Sequence, residues 1–169
     1  AIWSRLVGSE MCIRDRMSIL GFVLVVFGSF GRIWASLYIE GNKTKNLVTS
    51  GPFSMVRNPL YFFSLIMLLG FSLALKAIYL PLALLLIFVI FHIPTIANEE
   101  RKLKTNHGDK FKSYMKSTPR LIPNIFKYKR PETGEKVLVK INRINGVLTE
   151  VIGYLFLYTL IDIIYFILD

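Results

Sequence analysis

Two short polar clusters stand out in a chain that is otherwise dominated by apolar runs. The first cluster lies in LVTSGPFSMVRNPLY, residues 47–61, where Arg57 and Asn58 come just before an apolar run. The second cluster contains Glu99 and Glu100, which follow the end of an apolar run. Carboxylates accept hydrogen bonds from hydroxyl and ammonium groups, so this set suits a zwitterionic or cationic small molecule. Polar groups at a membrane edge cost free energy unless something uses them. We therefore expect both clusters to face one side of a membrane and to build one site.

The same residues also have simpler interpretations. For Glu99 and Glu100, the simpler interpretation is that they lie at a solvated helix end. For Arg57, it is that the side chain reaches toward the membrane interface and anchors the helix there. The sequence contains no Ser-His-Asp spacing, HExxH motif, phosphate-binding glycine loop or GxGxxG motif. His92 has no partner histidine in register, and the single cysteine, Cys12, excludes a cysteine zinc site, so we predict no metal.

The composition indicates a membrane protein. Of the 169 residues, 53% are hydrophobic, whereas soluble domains are about 45–50% apolar, and the mean hydropathy is +0.50. A net charge of +10 is compatible with nucleic-acid binding, but the basic residues adjoin apolar runs and the aromatic residues near them are scattered. Anionic lipid head groups are the better partner, so we predict a lipid bilayer rather than nucleic acid as the binding partner.

Long apolar runs predict the helices that would position the two clusters. Residues 17–39 carry a single charge and are long enough, at 1.5 Å per residue, to cross a hydrocarbon core of about 30 Å. Residues 60–97 carry only Lys76, close to Pro81, and are too long for one crossing. We therefore predict a helical hairpin made of residues 60–75 and 79–97.

A further apolar run covers residues 146–168 and is interrupted by Glu150 and Asp162, which should face other helices or a cavity. Small residues allow helices to approach closely, and we expect Gly21, Gly28 and Gly31 to serve that purpose. The predicted fold is an all-α integral membrane fold of about four transmembrane helices with a central helical hairpin.

The polar segment after the hairpin predicts the orientation. Residues 99–143 carry 13 Lys or Arg against 5 Asp or Glu, and such an excess marks cytoplasmic segments. We expect the hairpin's second helix to continue into this segment, to turn at His107-Gly108, and to resume with Phe111 and Tyr114 on one face. Pro119 and Pro123 should end it.

Residues 1–16 differ in pattern from the rest of the chain. VGSEMCIRDR looks like a translated sequencing adapter, so we expect residues 1–16 to be an artefactual extension, and whether native sequence is missing before Met17 stays open. We assign residues 17–124 to a membrane core and 125–169 to a basic linker with a C-terminal transmembrane helix.

The two polar clusters also carry a family resemblance. LVTSGPFSMVRNPLY, followed after a hairpin by EERKLKTNHGDKFKSYMKSTPRLIP, resembles the isoprenylcysteine carboxyl methyltransferase and phospholipid N-methyltransferase superfamily. The pattern there is LVTSGPY, then RHPxYxG, a hairpin, EE, and GxxYxxYxxxxPRxIP. The resemblance covers roughly residues 28–124 and implies a membrane methyltransferase core with a cytosolic pocket for S-adenosylmethionine. A lipophilic small molecule or a lipid would be the substrate, methylated on a carboxylate, amine or thiol.

The resemblance also implies roles for individual residues. Arg57, Asn58 and Glu100 match the RHP motif and the acidic pair and are the candidate catalytic residues. The positions that match cofactor contacts in the prenylcysteine branch are Lys45, Asn46, Leu47, Val48, Phe53, Asn58, Pro59, Leu60, Tyr61 and Glu99.

Four departures from the family pattern bear on the substrate. Asn58 and Lys45 replace histidines, and Phe63 replaces a glycine. Asn58 donates hydrogen bonds but cannot titrate, which argues against a proton shuttle there. Thr95 stands where the prenylcysteine branch has an arginine that meets the substrate carboxylate, which argues against a prenylcysteine carboxylate as substrate.

Two alternatives stay open from the sequence. A sterol-reductase-like enzyme would use NADPH, although that branch typically carries an arginine–aspartate pair where this chain has Glu99-Glu100. A catalytically silent membrane scaffold would keep the pocket architecture and is consistent with the changes at Asn58, Phe63 and Thr95. The accepting atom and the oligomeric state also stay open.

Overall fold

The computed structural model describes residues 2–40, 47–75, 79–130 and 141–168, which are almost entirely helical. The helices, in chain order, are α1 (Ile2–Glu40), α2 (Pro52–Met55), α3 (Pro59–Ala74), α4 (Leu80–Ser117), a 3-10 turn (Ile125–Lys127) and α5 (Ile141–Leu168). Within these ranges there is no β-strand, only an isolated bridge between Gly51 and Lys129. The all-α prediction is confirmed, and residues 2–16 continue α1 without a break.

Three helices in the described part of the chain are long and apolar enough to cross a membrane: α1 over Arg16–Ile39, α4, and α5 over Asn145–Ile164. The expected fourth, α3, has 16 residues and is about 24 Å long, which is shorter than a hydrocarbon core of about 30 Å. Four crossings are therefore not confirmed. The predicted hairpin is confirmed, since α3 and the apolar first half of α4 coincide with it.

Close contact between α1 and α3 depends on glycines. A β-carbon at Gly21 would lie 2.7 Å from the carbonyl oxygen of Gly70, and one at Gly31 would overlap the ring of Phe63. Because Gly21 faces Gly70 near the end of α3 and Gly31 faces its beginning, the two helices run antiparallel. The predicted packing role of the glycines is confirmed.

The polar half of α4 bends as the sequence predicts. Gly108 has φ 52° and ψ −122° inside the helix, a conformation that only glycine adopts without strain. After this bend Phe111 and Tyr114 are both buried. The helix ends at Ser117, just before Pro119.

The C-terminal helix α5 lies antiparallel to α1 and is joined to it by polar contacts. Arg32 Nη2 lies 2.9 Å from Glu150 Oε2, and the hydroxyl of Ser18 donates to the carboxylate of Asp162. Tyr158 is buried between them, its ring 5.7 Å from that of Phe22. The prediction that Glu150 and Asp162 face another helix is confirmed.

Candidate functional site

A short helix, α2, carries the first polar cluster toward the end of α4. It begins after Gly51, whose φ of 59° favours glycine, and a β-carbon there would overlap the ring of Tyr38. The Ser54 hydroxyl donates to the Gly51 carbonyl at 2.6 Å and accepts from the Lys129 N–H at 2.8 Å. The Gly51 N–H donates to the Lys129 carbonyl at 2.8 Å. These bonds fix the loop before α3 against the segment that follows α4.

Two further backbone hydrogen bonds fasten the same segment, residues 118–130, which we call the strap. The Arg57 N–H donates to the Pro119 carbonyl at 2.9 Å, and the Asn124 N–H donates to the Met55 carbonyl at 2.9 Å. The strap therefore closes over α2 and over the residues on either side of it.

Tyr114 connects the polar half of α4 to α2. Its hydroxyl donates to the Phe53 carbonyl oxygen at 2.6 Å. Burial is the main reason that the pKa of Tyr114 is raised, Arg57 opposes the rise, and Glu100 adds to it. The hydroxyl therefore stays protonated and keeps donating at any physiological pH.

The two polar clusters meet at Glu100. Asn58 Nδ2 donates to Glu100 Oε1 at 3.0 Å across 42 positions of sequence and also to the Arg120 carbonyl at 3.1 Å. Arg57 Nη1 lies 3.3 Å from Glu100 Oε1, and Arg120 Nε lies 3.2 Å from Glu100 Oε2. The side chains of Arg57 and Glu100 are only 14% and 13% exposed. Arg57, Asn58 and Glu100 are thus brought together as expected, while their catalytic roles stay predictions.

The neighbouring Glu99 has a different environment. The Tyr61 hydroxyl donates to Glu99 Oε1 at 3.0 Å, and Glu99 is otherwise exposed. The ring of Tyr61 lies edge-on to His92 with 5.7 Å between centroids, and His92 stacks on Phe88 at 4.2 Å. His92 is therefore packed between two aromatic rings. No cluster of three or more His, Cys, Asp or Glu side chains suited to a metal occurs among the described residues.

The remaining predicted cofactor contacts lie in or beside α2 and at the start of α3. Phe53 and Pro59 are buried, and Leu47, Val48 and Leu60 are half-buried. Lys45 and Asn46 fall outside the described residues.

The positions that depart from the family pattern also have clear environments. Phe63 is buried against Gly31, so a large side chain there fills the α1–α3 contact. Thr95 is exposed on α4, and its hydroxyl donates to the Phe91 carbonyl at 2.9 Å.

Arg120 is a site residue that our sequence reasoning missed. Its carbonyl accepts from Asn58 and its guanidinium lies beside Glu100. The signal was present in the sequence, because Arg120 is the arginine of the PRLIP motif. It was overlooked because hydropathy and charge patterns give no reason to pair Arg120 with Asn58, which lies 62 positions earlier.

The hydrogen-bonding groups at the site are of the types that S-adenosylmethionine requires. The Glu99 carboxylate accepts one hydrogen bond from Tyr61 and keeps lone pairs for a ribose hydroxyl or an ammonium group. Arg57 Nε, like His92 Nδ1 and Arg120 Nε, is buried without a hydrogen-bond partner among the described residues, whereas buried donors are normally paired by protein or water. A separate groove of about 700 Å³ adjoins Arg57 and is otherwise lined by residues 115–119 and 122–127. Its lining includes none of the described residues predicted to contact the cofactor.

Comparison with known proteins supports the family resemblance of the two motifs. A sequence model of the phospholipid methyltransferase family matches residues 17–110. The cobalt-zinc-cadmium resistance protein CzcN of Cupriavidus metallidurans is 34% identical over 114 residues, covering 68% of this chain and 52% of the relative. The nickel-cobalt-cadmium resistance protein NccN of Alcaligenes xylosoxydans xylosoxydans is 32% identical over 114 residues, covering 68% of this chain and 53% of the relative.

The chain spans about half the length of these two curated relatives, and no solved structure matches it significantly. The family match covers more than half of the chain, including the hairpin and both glutamates of the acidic pair. The chain belongs to the phospholipid methyltransferase family.

Proposed function

We propose that this chain is an S-adenosylmethionine-dependent methyltransferase that acts on a small lipophilic or membrane-embedded substrate at the cytosolic face of a membrane. The observation that carries this proposal is the 3.0 Å hydrogen bond between Asn58 and Glu100, which joins the two motifs of the family. Membership of the family supports methyl transfer in general.

Glu99 and Tyr61, with the residues of α2 and the loop before it, are the groups that would hold the cofactor. The exposed Glu99 carboxylate accepts hydrogen bonds from hydroxyl or ammonium groups, and the Tyr61 hydroxyl orients it. S-adenosylmethionine supplies an electrophilic methyl group, so the protein's contribution is to align donor and acceptor and to exclude water.

The lipid-facing side of α4 bears on the choice of substrate. Phe91 and Thr95 are exposed, which leaves that side of the helix open to a substrate entering from the membrane. Thr95 carries no charge, so a neutral or cationic substrate suits this face better than a carboxylate. Glu100 is already paired with two arginines, which leaves Glu99 as the carboxylate for cationic groups.

Orientation is proposed from charge. The site lies where α4 leaves its apolar half, and the following residues 99–143 carry the 13 basic residues that favour a cytoplasmic location. Cofactor would therefore enter from the cytosol.

Calorimetric binding of S-adenosylhomocysteine to the detergent-purified chain tests the proposal, with NADPH measured in parallel. We expect saturable binding of S-adenosylhomocysteine alone. Binding of NADPH alone would move the protein to the reductase class, and binding of neither would favour a catalytically silent scaffold.

Two variants sharpen this test. Glu99→Ala should weaken S-adenosylhomocysteine binding by about tenfold or more, because it removes a charged hydrogen-bond acceptor. Thr95→Arg, on the exposed side of α4, should leave cofactor affinity nearly intact while changing substrate preference. Unchanged affinity in Glu99→Ala, or a tenfold loss in Thr95→Arg, would contradict the assigned pocket.

A role in metal tolerance is a second candidate, favoured by the names of the two relatives. Methylation of a membrane component would then support tolerance without this chain itself holding the metal. Growth of a deletion strain in cobalt, zinc, cadmium or nickel, complemented with wild type or Glu99→Ala, tests this. Equal tolerance of the deletion strain and its parent would reject the candidate.

A further inference from the structure

The strap and the end of α4 form a strongly basic surface. Residues 111–130 contain six Lys or Arg and no Asp or Glu. The groove beside Arg57, which we call the basic groove, includes Lys116 and Lys127 in its lining. Arg57 and Arg120 share one carboxylate, Glu100, and leave a net charge of +1. The two lysines raise the charge around the groove to +3.

Large apolar side chains project from the same segment. Phe126 is 94% exposed, Ile122 is 79% exposed and Ile125 is 66% exposed, and all three line the basic groove. Such a group of exposed apolar side chains beside basic residues is unfavourable in water and is typical of segments that lie in the membrane interface.

The projecting side chains belong to a fixed backbone. The 3-10 turn that carries Phe126 is capped by Asn124, whose side chain accepts from the Phe126 N–H at 3.2 Å. The Asn124 N–H is itself bonded to Met55. The Lys127 ammonium group donates to the Ser117 carbonyl at 2.5 Å, which holds it at the groove. Charge and apolar surface are therefore presented together in one defined arrangement.

We propose that the basic groove binds the phosphate head group of an anionic phospholipid. Lys116 and Lys127 would meet the phosphate, and Ile122, Ile125 and Phe126 would contact the acyl chains. The argument for this occupant is charge complementarity beside an exposed apolar surface. The strap that carries both is hydrogen-bonded to the Arg57 backbone, just before the apolar helix α3. The groove shares Arg57 with the proposed methyl-transfer site but is lined by none of the described residues predicted to contact the cofactor. Phosphatidylglycerol, which has no amine, thiol or carboxylate, serves as a probe that is independent of methyl transfer.

Fluorescence of Trp34 provides the readout, because its ring lies 6.2 Å from that of Tyr128 in the strap. The chain has two tryptophans, so Trp3→Phe leaves Trp34 as the single emitter. The full chain in a non-ionic detergent is titrated with phosphatidylglycerol that carries brominated acyl chains, and separately with brominated phosphatidylcholine. We expect saturable quenching by the first lipid at concentrations where the second quenches little.

Matched variants connect the quenching to the groove. Lys116→Gln with Lys127→Gln should weaken phosphatidylglycerol binding by about tenfold or more, since each cation near an anionic head group contributes severalfold. Lys104→Gln with Lys110→Gln makes the same charge change at exposed positions of α4 outside the groove and should change affinity less than about twofold. Phe126→Ser should weaken binding severalfold, whereas Leu103→Ser, on the polar half of α4, should not.

Four results would overturn the proposal. The first two are equal quenching by the two lipids and equal losses of phosphatidylglycerol affinity in the two double-lysine variants. The third is unchanged affinity in Phe126→Ser. The fourth is complete competition by inorganic phosphate, which would indicate a site for free anions. Circular dichroism identifies a lysine variant that fails to fold. Phe126→Ser then decides the question, because so exposed a side chain contributes little to folding.

Discussion

At the scale of single residues, two adjacent glutamates have opposite environments. Glu100 is 13% exposed and accepts from Asn58 while lying between Arg57 and Arg120. Glu99 is exposed and, within the described part of the chain, accepts a single hydrogen bond, from Tyr61. Neighbours on a helix point about 100° apart, so one side chain faces the strap and the other the α3 surface. Glu100 is therefore the residue that holds the site together, and Glu99 the residue free to bind.

Glu100→Gln should destabilise the protein by about 2 kcal/mol, because it leaves two arginines close together without their shared carboxylate. The partial exposure of Arg120 keeps this below the full cost of breaking a buried pair. Thermal unfolding in detergent measures the effect. Glu99→Gln is the matched control and should change stability by less than about 0.5 kcal/mol. Equal destabilisation by the two substitutions would contradict the distinction between them.

At the scale of helices, α1 and α3 are in close contact at glycines. Asn58 is the N-cap of α3 and Tyr61 lies in its first turn, so α3 positions both residues at the site. Water is absent from lipid, so helices associate there through close packing rather than through the hydrophobic effect. Glycines on α1 permit this approach, and Phe63 occupies the space that they leave. Packing on this face therefore fixes the position of the first polar cluster.

Gly31→Val should destabilise the bundle by about 2 kcal/mol, because the new side chain overlaps the ring of Phe63 and the helices must separate. The measurement is again thermal unfolding in detergent. Gly153→Ala serves as control, since a β-carbon there has nothing within 4 Å and alanine favours the helix. Its stability should be unchanged within about 0.5 kcal/mol or slightly increased. A Gly31→Val variant as stable as Gly153→Ala would show that α1 and α3 are less closely packed than described.

At the scale of the whole molecule, α5 lies outside the family match, which ends at residue 110, and still joins the same helix bundle. Its contacts with α1 are polar at both ends, through Arg32 with Glu150 and Ser18 with Asp162. Polar side chains inside a membrane find partners on other helices. The two pairs therefore determine the antiparallel direction and the register of α5.

A cysteine pair tests this register. In a Cys12→Ser background, Ser18→Cys with Asp162→Cys should form a disulfide rapidly on mild oxidation, because the two side chains are in contact. Ser18→Cys with Thr149→Cys should not cross-link, since 13 residues of helix move the partner about 20 Å away. Mobility on a non-reducing gel reports the result. Cross-linking of the second pair alone would show that α5 has a different register.

The sequence by itself determined the features that depend on local properties. Apolar run lengths predicted the hairpin, glycine positions predicted that α1 packs closely against another helix, and Gly108 predicted the bend in α4, because hydropathy and backbone conformation are properties of neighbouring residues. The two motifs also identified Asn58 and Glu100 as members of one site.

The tertiary structure decided what depends on distance. Only the fold paired Arg120 with Glu100, fastened the strap to α2, and joined Glu150 and Asp162 to their partners on α1. These contacts join residues 20 to 144 positions apart, and no local pattern of hydropathy or charge specifies which of several polar side chains will meet once the helices have packed.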